Sequence, residues 1–303
     1  MLAYLTATRR HSTESQWAER IERGEVEVEG ARVRQGFVVQ PGQTIVWHRP
    51  PWNEEPVPTN FDIVHEDDAI VVVNKPSGLP TMPAGGFLDQ TLLTLVRHRY
   101  PQASPLHRLG RCTSGVVLFA RHQEAASHLA RAWRDRTVKK TYRALGLGTT
   151  RAEMFVIDVP IGPVEHPLLG TIQAACDGGR PSHSVALVLE QRHDRTLFSI
   201  DITTGRPHQI RIHMAYAGHP LIGDSIYEAG GGLKRHPGLP GDGGYFLHAE
   251  SLEFTHPATG ERMTVMATPP PELQTYEELV NGRVIAGQQA SGLAGQQASG
   301  LAG

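Results

Sequence analysis

Residues 107–121 read HRLGRCTSGVVLFAR, a stretch in which a polar loop runs directly into an apolar segment. The second half, SGVVLFA, is rich in β-branched and aromatic residues, which predicts a buried strand. The first half combines one histidine, two arginines and a glycine, a composition typical of a loop that presents charged groups. The stretch therefore predicts a basic loop at the entrance to a core strand, and Gly110 occupies the middle of that loop.

Strand patterns dominate the chain on both sides of this stretch. FDIVHEDDAIVVVNKP, KKTYRALGLG, HSVALVLEQR and TLFSIDIT are short β-branched or alternating runs bounded by turn residues. Two segments, QEAASHLARAWRDR and QIRIHMAYAG, instead carry apolar residues at helical spacing. Strands outnumber helices, so we expect an α+β domain with a mixed or largely antiparallel sheet.

The two ends of the chain differ from this central part. Residues 1–50 predict a small separate unit with a helix around residues 12–22 followed by short strands. The Pro-rich residues 51–60 predict a linker, and the main domain then covers residues 61–275. The end repeats an eight-residue unit of small polar residues, so we expect residues 276–303 to form a disordered tail.

Composition narrows the classes of protein. The chain has 303 residues and a net charge of -2, but residues 97–143 are dense in Arg, Lys and His, which favours a local phosphate-binding face. No apolar run is long enough to span a membrane, and the first residues lack the pattern of a signal peptide, so we expect a cytoplasmic protein. Cys112 and Cys176 are far apart, which gives no support for zinc or a disulfide framework.

Several motifs of other enzyme classes are incomplete. TSG is not preceded by the glycine of a nucleophile elbow, and GRCTSG lacks the GK[ST] ending of a phosphate loop. His208, His213 and His219 do not have the spacing of zinc ligands, so we predict no metal site. A cysteine hydrolase that pairs Cys112 with His107 or His208 is a further hypothesis, although no predicted helix N-terminus lies beside Cys112 to lower its pKa.

Three longer motifs follow one another in a specific order: HRL with TSG, then KKTYRA, then TTGRPHQIRIHMAYAGHPLIGDSIY. Together they resemble the RluA-type family of RNA pseudouridine synthases, and VNKPSGLPTMP and LHAESLEFTHPATG extend the resemblance. The first 50 residues resemble, more weakly, the small RNA-binding module of many members. The resemblance implies a pseudouridine synthase fold, which is an α+β domain with a mixed, largely antiparallel central sheet and flanking helices. It implies no metal and no organic cofactor.

The resemblance also implies an activity and roles for residues. The reaction isomerises uridine to pseudouridine in structured ribosomal or transfer RNA. We expect the protein to associate with no membrane and to need no obligate protein partner. It requires a carboxylate at the sugar, a side chain against the flipped base and a cation beside the carboxylate. By motif, Tyr142 corresponds to the residue on the base and Arg211 to the cation. The residues expected to contact RNA are His107, Arg108, Arg111, Lys140, Arg206 and His208.

Simpler interpretations of these residues stay open. Tyr142 is also compatible with an ordinary half-buried strand position, and arginines at a surface are usually solvated.

Gly110 departs from the family at its central position. The family segment reads HRLD, and its aspartate is the catalytic group, whereas glycine can neither attack nor accept a proton. Asp135, Asp201 and Asp224 are poor substitutes, since they are predicted in a solvent-facing helix, a strand and a local turn cap. The chain is then a branch that uses another group, an inactive RNA-binding protein of the same fold, or a substituted form.

The position of Arg211 gives this departure a structural consequence. We expect Arg211 near Gly110, paired with an anion, with water or with a carboxylate from elsewhere. A protein carboxylate found there would become the leading candidate for the catalytic acid.

Overall fold

The computed structural model describes residues 1–9, 12–50, 53–238 and 243–281. The chain divides into two compact units, of which the first is Met1–Glu54 and the second begins at Glu55. This boundary falls within the Pro-rich segment 51–60. None of the helices in the described ranges combines the length and the apolar character needed to cross a membrane.

The first unit is a small α+β module. Its helices are α1 (Leu2–Thr8) and α2 (Glu14–Glu22), and its strands are β1 (Val26–Val28), β2 (Ala31–Arg32) and β3 (Ile45–Trp47), in the order β2-β1-β3. The helix predicted around residues 12–22 is confirmed, because Thr13 and Gln16 form a reciprocal capping box at the start of α2. Trp17 and Ile21 of α2 are buried with Val26 in the core of this unit.

The second unit contains the remaining elements. Its strands are β4 (Asp62–Glu66), β5 (Ile70–Lys75), β6 (Ser104–Pro105), β7 (Ser114–Ala120), β8 (Lys139–Leu147), β9 (Met154–Ile157), β10 (Ile161–His166), β11 (Gly170–Ala175), β12 (Ser184–Arg192), β13 (Arg195–Ile202), β14 (Leu247–Thr255) and β15 (Arg262–Met266). Its helices are α3 (Leu92–Arg99), α4 (Gln123–Arg134) and α5 (Gln209–Tyr216), with a 3₁₀ turn at Pro271–Leu273.

One ten-stranded sheet organises the second unit, in the order β4-β5-β7-β14-β8-β13-β12-β9, with β6 on β7 and β15 on β14. Among the paired strands of the described residues only β7 and β14 run parallel, so the prediction of a mixed, largely antiparallel α+β domain is confirmed. The apolar run in β7 is explained by burial on both faces. Val117 and Phe119 belong to one core cluster, and Val116 and Leu118 belong to another.

The prediction of a disordered tail over residues 276–303 is wrong for its first part. Residues 276–281 are helical, and Glu278 accepts hydrogen bonds from both Nη1 and Nη2 of Arg143, at 3.0 and 2.8 Å. Arg143 lies on β8 and also pairs with Glu250 of β14. The largely buried Arg143 guanidinium thus lies between a carboxylate of the sheet and the carboxylate of Glu278, and the bonds to Glu278 attach this segment to the sheet. Residues 282–303 lie outside the described residues.

The glycine of TSG sets how closely β7 approaches β14. Gly115 has a φ of 109°, in the region that favours glycine, and pairs with Ala249 across the parallel ladder. A Cβ atom on Gly115 would lie 2.2 Å from the carbonyl oxygen of Ala249. Because β14 also pairs with β8, which carries Tyr142, this contact controls the distance between the basic loop and the strand of Tyr142.

We predict that Gly115→Ala lowers the free energy of unfolding by about 3 kcal/mol, since the backbone must separate to admit the methyl group. The measurement is urea unfolding of the whole chain. Gly178→Ala is the matched control, because a Cβ there meets no atom within 4 Å and the φ of Gly178 is not in the left-handed region. Equal stability of the two variants would contradict the close-approach account.

Candidate functional site

A cavity of about 530 Å³ opens in the second unit between the basic loop before β7, the end of α4, strand β8 and the loop that leads into α5. Six cationic side chains line it: Arg108, Arg134, Arg136, Lys140, Arg206 and Arg211. No Asp or Glu occurs among the described residues of the lining. A concave surface with cations and without carboxylates attracts a polyanion.

Eight of the nine residues assigned from the sequence line this cavity: His107, Arg108, Gly110, Lys140, Tyr142, Arg206, His208 and Arg211. Arg111 is the one that does not, and its side chain is engaged elsewhere. Its Nε donates to the carbonyl of Gly78 at 3.1 Å, and its Nη2 lies 3.2 Å from the carboxylate of Glu55. The order of the motifs therefore predicted the position of the cavity, but Arg111, which was expected to contact RNA, does not line it.

A buried lysine holds the loop that carries Gly110. The Nζ atom of Lys75 donates hydrogen bonds to the carbonyls of Pro76, Leu79 and Arg111, at 2.8, 2.7 and 3.0 Å. Burial lowers the pKa of Lys75 to about 7, but three bonds to carbonyls require all three protons of the ammonium group. The loop is thus attached to the end of β5 through one charged group.

Tyr142 lies on β8, between Ile200 of β13 and Ala249 of β14 in the ladder. Only 8% of the residue is exposed, and it lines the cavity. Burial raises the pKa of Tyr142 to about 12, so the side chain remains a neutral phenol at physiological pH. A fixed neutral ring on a cavity wall is suited to pack against a flat base.

Arg211 is paired with Asp224, which is the carboxylate from elsewhere in the chain that was one of the three expected partners. The guanidinium donates from Nε and Nη2 to the two carboxylate oxygens at 2.7 and 2.8 Å, and the two side chains are only 3% and 1% exposed. Burial opposes ionisation of Asp224, but the hydrogen bonds and charge of Arg211 outweigh it and lower the pKa of Asp224.

The inference that this partner would be the catalytic acid is wrong for Asp224. One of its oxygens also accepts from the backbone NH groups of Ile226 and Tyr227, at 2.9 and 3.1 Å. Asp224 is not part of the cavity lining, because Arg211 and this turn enclose it. Its carboxylate is saturated by structural contacts, as the predicted turn cap implies.

Tyr245 lines the cavity although no sequence motif indicated it, and Arg134 and Arg136 were likewise not assigned from the sequence. A Cβ atom on Gly110 would lie 2.7 Å from the Tyr245 hydroxyl, which is itself 3.3 Å from Oγ1 of Thr113. The ring of Tyr245 lies over the guanidinium of Arg211, with Cζ 4.3 Å from the ring centroid. Tyr245 therefore contacts both the cation and the position where the family has its acid. The sequence before it is Gly-rich and carries no motif, so only the tertiary structure brings Tyr245 here.

His107 is a neutral part of the wall. Its Nε2 accepts a hydrogen bond from the backbone NH of Leu118 at 3.1 Å, and its ring stacks on Trp133 with centroids 5.2 Å apart. Burial lowers the pKa of His107 to about 3, so this side chain carries no charge for a phosphate.

The geometry gives no support to a cysteine hydrolase. Cys112 is buried and does not line the cavity, while the Nε2 of His107 is engaged by the backbone. Within the part of the chain that the structure describes, no group of three or more His, Cys, Asp and Glu side chains could hold a metal ion.

We predict that Asp224→Asn lowers the free energy of unfolding by about 3–5 kcal/mol, because it leaves the Arg211 guanidinium buried without a counter-charge. Urea unfolding measures the effect. Asp194→Asn removes the exposed partner of Arg195 and serves as the control, with no change in the unfolding midpoint. A tolerated Asp224→Asn would show that the ion pair does not support this site.

Comparisons with known proteins agree with this geometry. A model of the RNA pseudouridylate synthase family matches residues 69–216, a range that includes Gly110, Tyr142 and Arg211. The chain is 40% identical over 280 residues to an uncharacterized RNA pseudouridine synthase of Synechocystis sp., covering 91% of this chain and 96% of that protein. It is 35% identical to ribosomal large subunit pseudouridine synthase D of Vibrio parahaemolyticus, over 75% of this chain and 72% of that protein.

A solved structure is similar as well. Human RNA pseudouridylate synthase domain containing 1 aligns with a TM-score of 0.57 and 27% identity, over 76% of this chain and 97% of that one. The family model lies wholly within the second unit, which contains the ten-stranded sheet and the basic cavity. The chain belongs to the RNA pseudouridylate synthase family.

Proposed function

We propose that this chain is a cytoplasmic RNA pseudouridine synthase that binds structured ribosomal or transfer RNA and isomerises one of its uridines. The observation that carries the proposal is that Tyr142 and Arg211, assigned by motif, meet Gly110 at one basic cavity. The relative named for the ribosomal large subunit supports ribosomal RNA as a substrate class.

The size and charge of the cavity suit a nucleotide taken out of its stack. A volume of about 530 Å³ lies in the range of cavities that enclose small ligands. Arg108, Arg206 and Lys140 can bind flanking phosphates, while the neutral ring of Tyr142 packs on the everted base. Residues 1–54 act in this proposal as a second RNA-binding surface.

A specific observation favours a second candidate, an RNA-binding protein of the same fold without isomerase activity. Among the described residues, the lining has no carboxylate, and Asp224 is enclosed behind Arg211. The isomerase proposal therefore requires another group of the cavity to replace the family aspartate at Gly110. RNA binding is common to both candidates, and only chemistry separates them.

We predict salt-dependent binding to structured RNA, because cationic side chains that neutralise phosphates release counterions. Titration of labelled ribosomal RNA fragments at several salt concentrations measures the slope of log affinity against log salt. Lys140→Gln and Arg206→Gln should each reduce that slope by about one, whereas Arg195→Gln, an exposed arginine paired with Asp194, should not change it.

Deletion of residues 1–54 tests the second surface in the same titration. It should weaken RNA binding while the second unit keeps its cooperative unfolding. Binding that ignores salt, or no binding to any cellular RNA, would contradict both candidate functions.

The Gly110 position is tested by a double substitution. Gly110 has no left-handed φ, so its backbone does not disfavour a side chain, but a Cβ would lie only 2.7 Å from the Tyr245 hydroxyl. The ring carbon that bears this hydroxyl is 4.0 Å from the same Cβ, an ordinary contact. Gly110→Asp alone should therefore lower the free energy of unfolding by about 1–3 kcal/mol, and Gly110→Asp with Tyr245→Phe should recover it.

Pseudouridine formation is then measured in RNA from cells that lack the gene. We expect conversion by the unaltered chain and an increase of about 10²-fold or more in the Gly110→Asp, Tyr245→Phe variant, which supplies a carboxylate. Gly110→Asn with Tyr245→Phe is the control of equal shape without the charge, and it should show no increase. An inert parent with an active double variant would select the RNA-binding candidate. Inactivity of all three proteins would contradict the isomerase proposal.

A further inference from the structure

His208 lies at the entrance to α5 in an uncommon backbone conformation. It is the N-cap residue with a φ of 59° and a ψ of 15°, and its side chain makes no capping hydrogen bond. A left-handed conformation is unfavourable for a residue that carries a Cβ atom. Such positions cluster at functional sites because surrounding contacts must hold them. His208 lines the cavity, so this residue of uncommon backbone conformation belongs to the site.

Neighbouring hydrogen bonds determine which nitrogen of His208 carries the proton. The Tyr227 hydroxyl donates to the carbonyl oxygen of Gln173 at 2.7 Å, and a carbonyl can only accept. The single phenolic proton is thereby used. Nδ1 of His208 lies 2.8 Å from the same hydroxyl oxygen, so Nδ1 must donate to it. In a neutral imidazole the other nitrogen, Nε2, then has a free lone pair.

The imidazole is neutral at physiological pH. Burial and then the charge of Arg211 lower the pKa of His208 to about 4, although Asp224 acts in the opposite direction. A neutral His208 supplies no charge to a phosphate, and its contact with RNA, expected from the sequence, stays a prediction. Its Nε2 has a basicity close to that of a carboxylate, since unperturbed aspartate and glutamate titrate near 4.

Most of the remaining polar side chains of the lining are donors or are already hydrogen-bonded, and the exceptions among the described residues are the hydroxyls of Tyr142 and Thr203. The six cationic side chains can only donate. Nε2 of His107 already accepts a hydrogen bond from the backbone NH of Leu118, and the side-chain oxygen of Gln209 accepts one from the backbone NH of Arg206. The cavity therefore suits a ligand that presents mainly hydrogen-bond acceptors to the cations. The lone pair of His208 can accept a hydrogen bond from a donor of the same ligand.

We propose that Nε2 of His208 accepts a hydrogen bond from the nucleotide held in the cavity. This inference rests on the proposed binding of RNA there. A uridine offers two donors of suitable chemistry, the N3–H of its base and the 2′-hydroxyl of its ribose. Cytosine has an acceptor at N3, so contact with the base would select uracil, whereas contact with the sugar would select RNA over DNA.

Tyr227 is a positioning residue in this arrangement. Its hydroxyl oxygen accepts a hydrogen bond from Nδ1 of His208, and its ring lies over Arg211, with Cζ 5.1 Å from the centroid. Tyr227→Phe removes the hydroxyl and leaves both nitrogens of His208 able to carry the proton. Long-range ¹H–¹⁵N spectra of histidine-labelled protein report the tautomer directly. We expect Nε2 to be unprotonated in the unaltered chain and a mixture of tautomers in Tyr227→Phe.

Binding to three RNA probes tests the contact itself. The probes are one short hairpin with a single unpaired loop uridine and the same hairpin with 3-methyluridine or 2′-deoxyuridine at that position. We expect one of the two modifications to weaken binding by about five- to tenfold, the loss of one hydrogen bond. His208→Ala should bind the plain hairpin more weakly and should no longer respond to that modification. His128→Ala, on the exposed face of α4, should respond as the parent does.

Each alternative outcome is decisive. Equal losses in the parent and in His208→Ala, or no loss with either modification, would overturn the role of His208 while RNA binding stands. A protonated Nε2 in the spectra of the parent would overturn it independently of any RNA. Absence of binding to the plain hairpin at all salt concentrations would instead contradict the proposed function, and the inference would fall with it.

Discussion

A buried guanidinium is the constraint on which this site depends. Arg211 lies under the cavity with almost no contact with water, and its charge is compensated by the two oxygens of Asp224. The rings of Tyr227 and Tyr245 cover it at 5.1 and 4.3 Å from Cζ. A buried cation of this kind is stable only when every partner is in place. One buried charge therefore holds together three segments: the turn of Asp224, the start of α5 and the segment before β14.

The same charge explains the form of the cavity. Asp224 pairs with Nε and Nη2 of Arg211, while Nη1 has no hydrogen-bond partner among the described residues. Tyr245 contacts both Arg211 and the site of a Gly110 side chain. Gly110 and Tyr245 are thus complementary in shape, because the Tyr245 hydroxyl occupies the space that a side chain on residue 110 would need. What remains is a cavity of cations and neutral rings in which His208 contributes a lone pair.

Local patterns predicted the fold well, and motif order predicted most of the site. An apolar run indicates a strand buried on both faces, as in β7, and apolar residues at helical spacing indicate a helix, as in α4. The positions of these two elements therefore follow from the sequence. Tyr245 was missed because its role depends on contacts with residues far away in the chain. Arg111 was assigned to RNA because the motif could not show that its guanidinium turns to Gly78. Residues 276–281 were expected to be disordered, and the ion pair with Arg143 orders them.

The central claim is that this cavity converts a uridine of cellular RNA although Gly110 supplies no carboxylate. A map of pseudouridines in ribosomal and transfer RNA, from cells with the gene and from cells without it, tests this most directly. The account predicts that at least one uridine loses its modification in the cells without the gene and regains it when the unaltered chain is restored. Identical maps, with the chain expressed and bound to RNA, would contradict it.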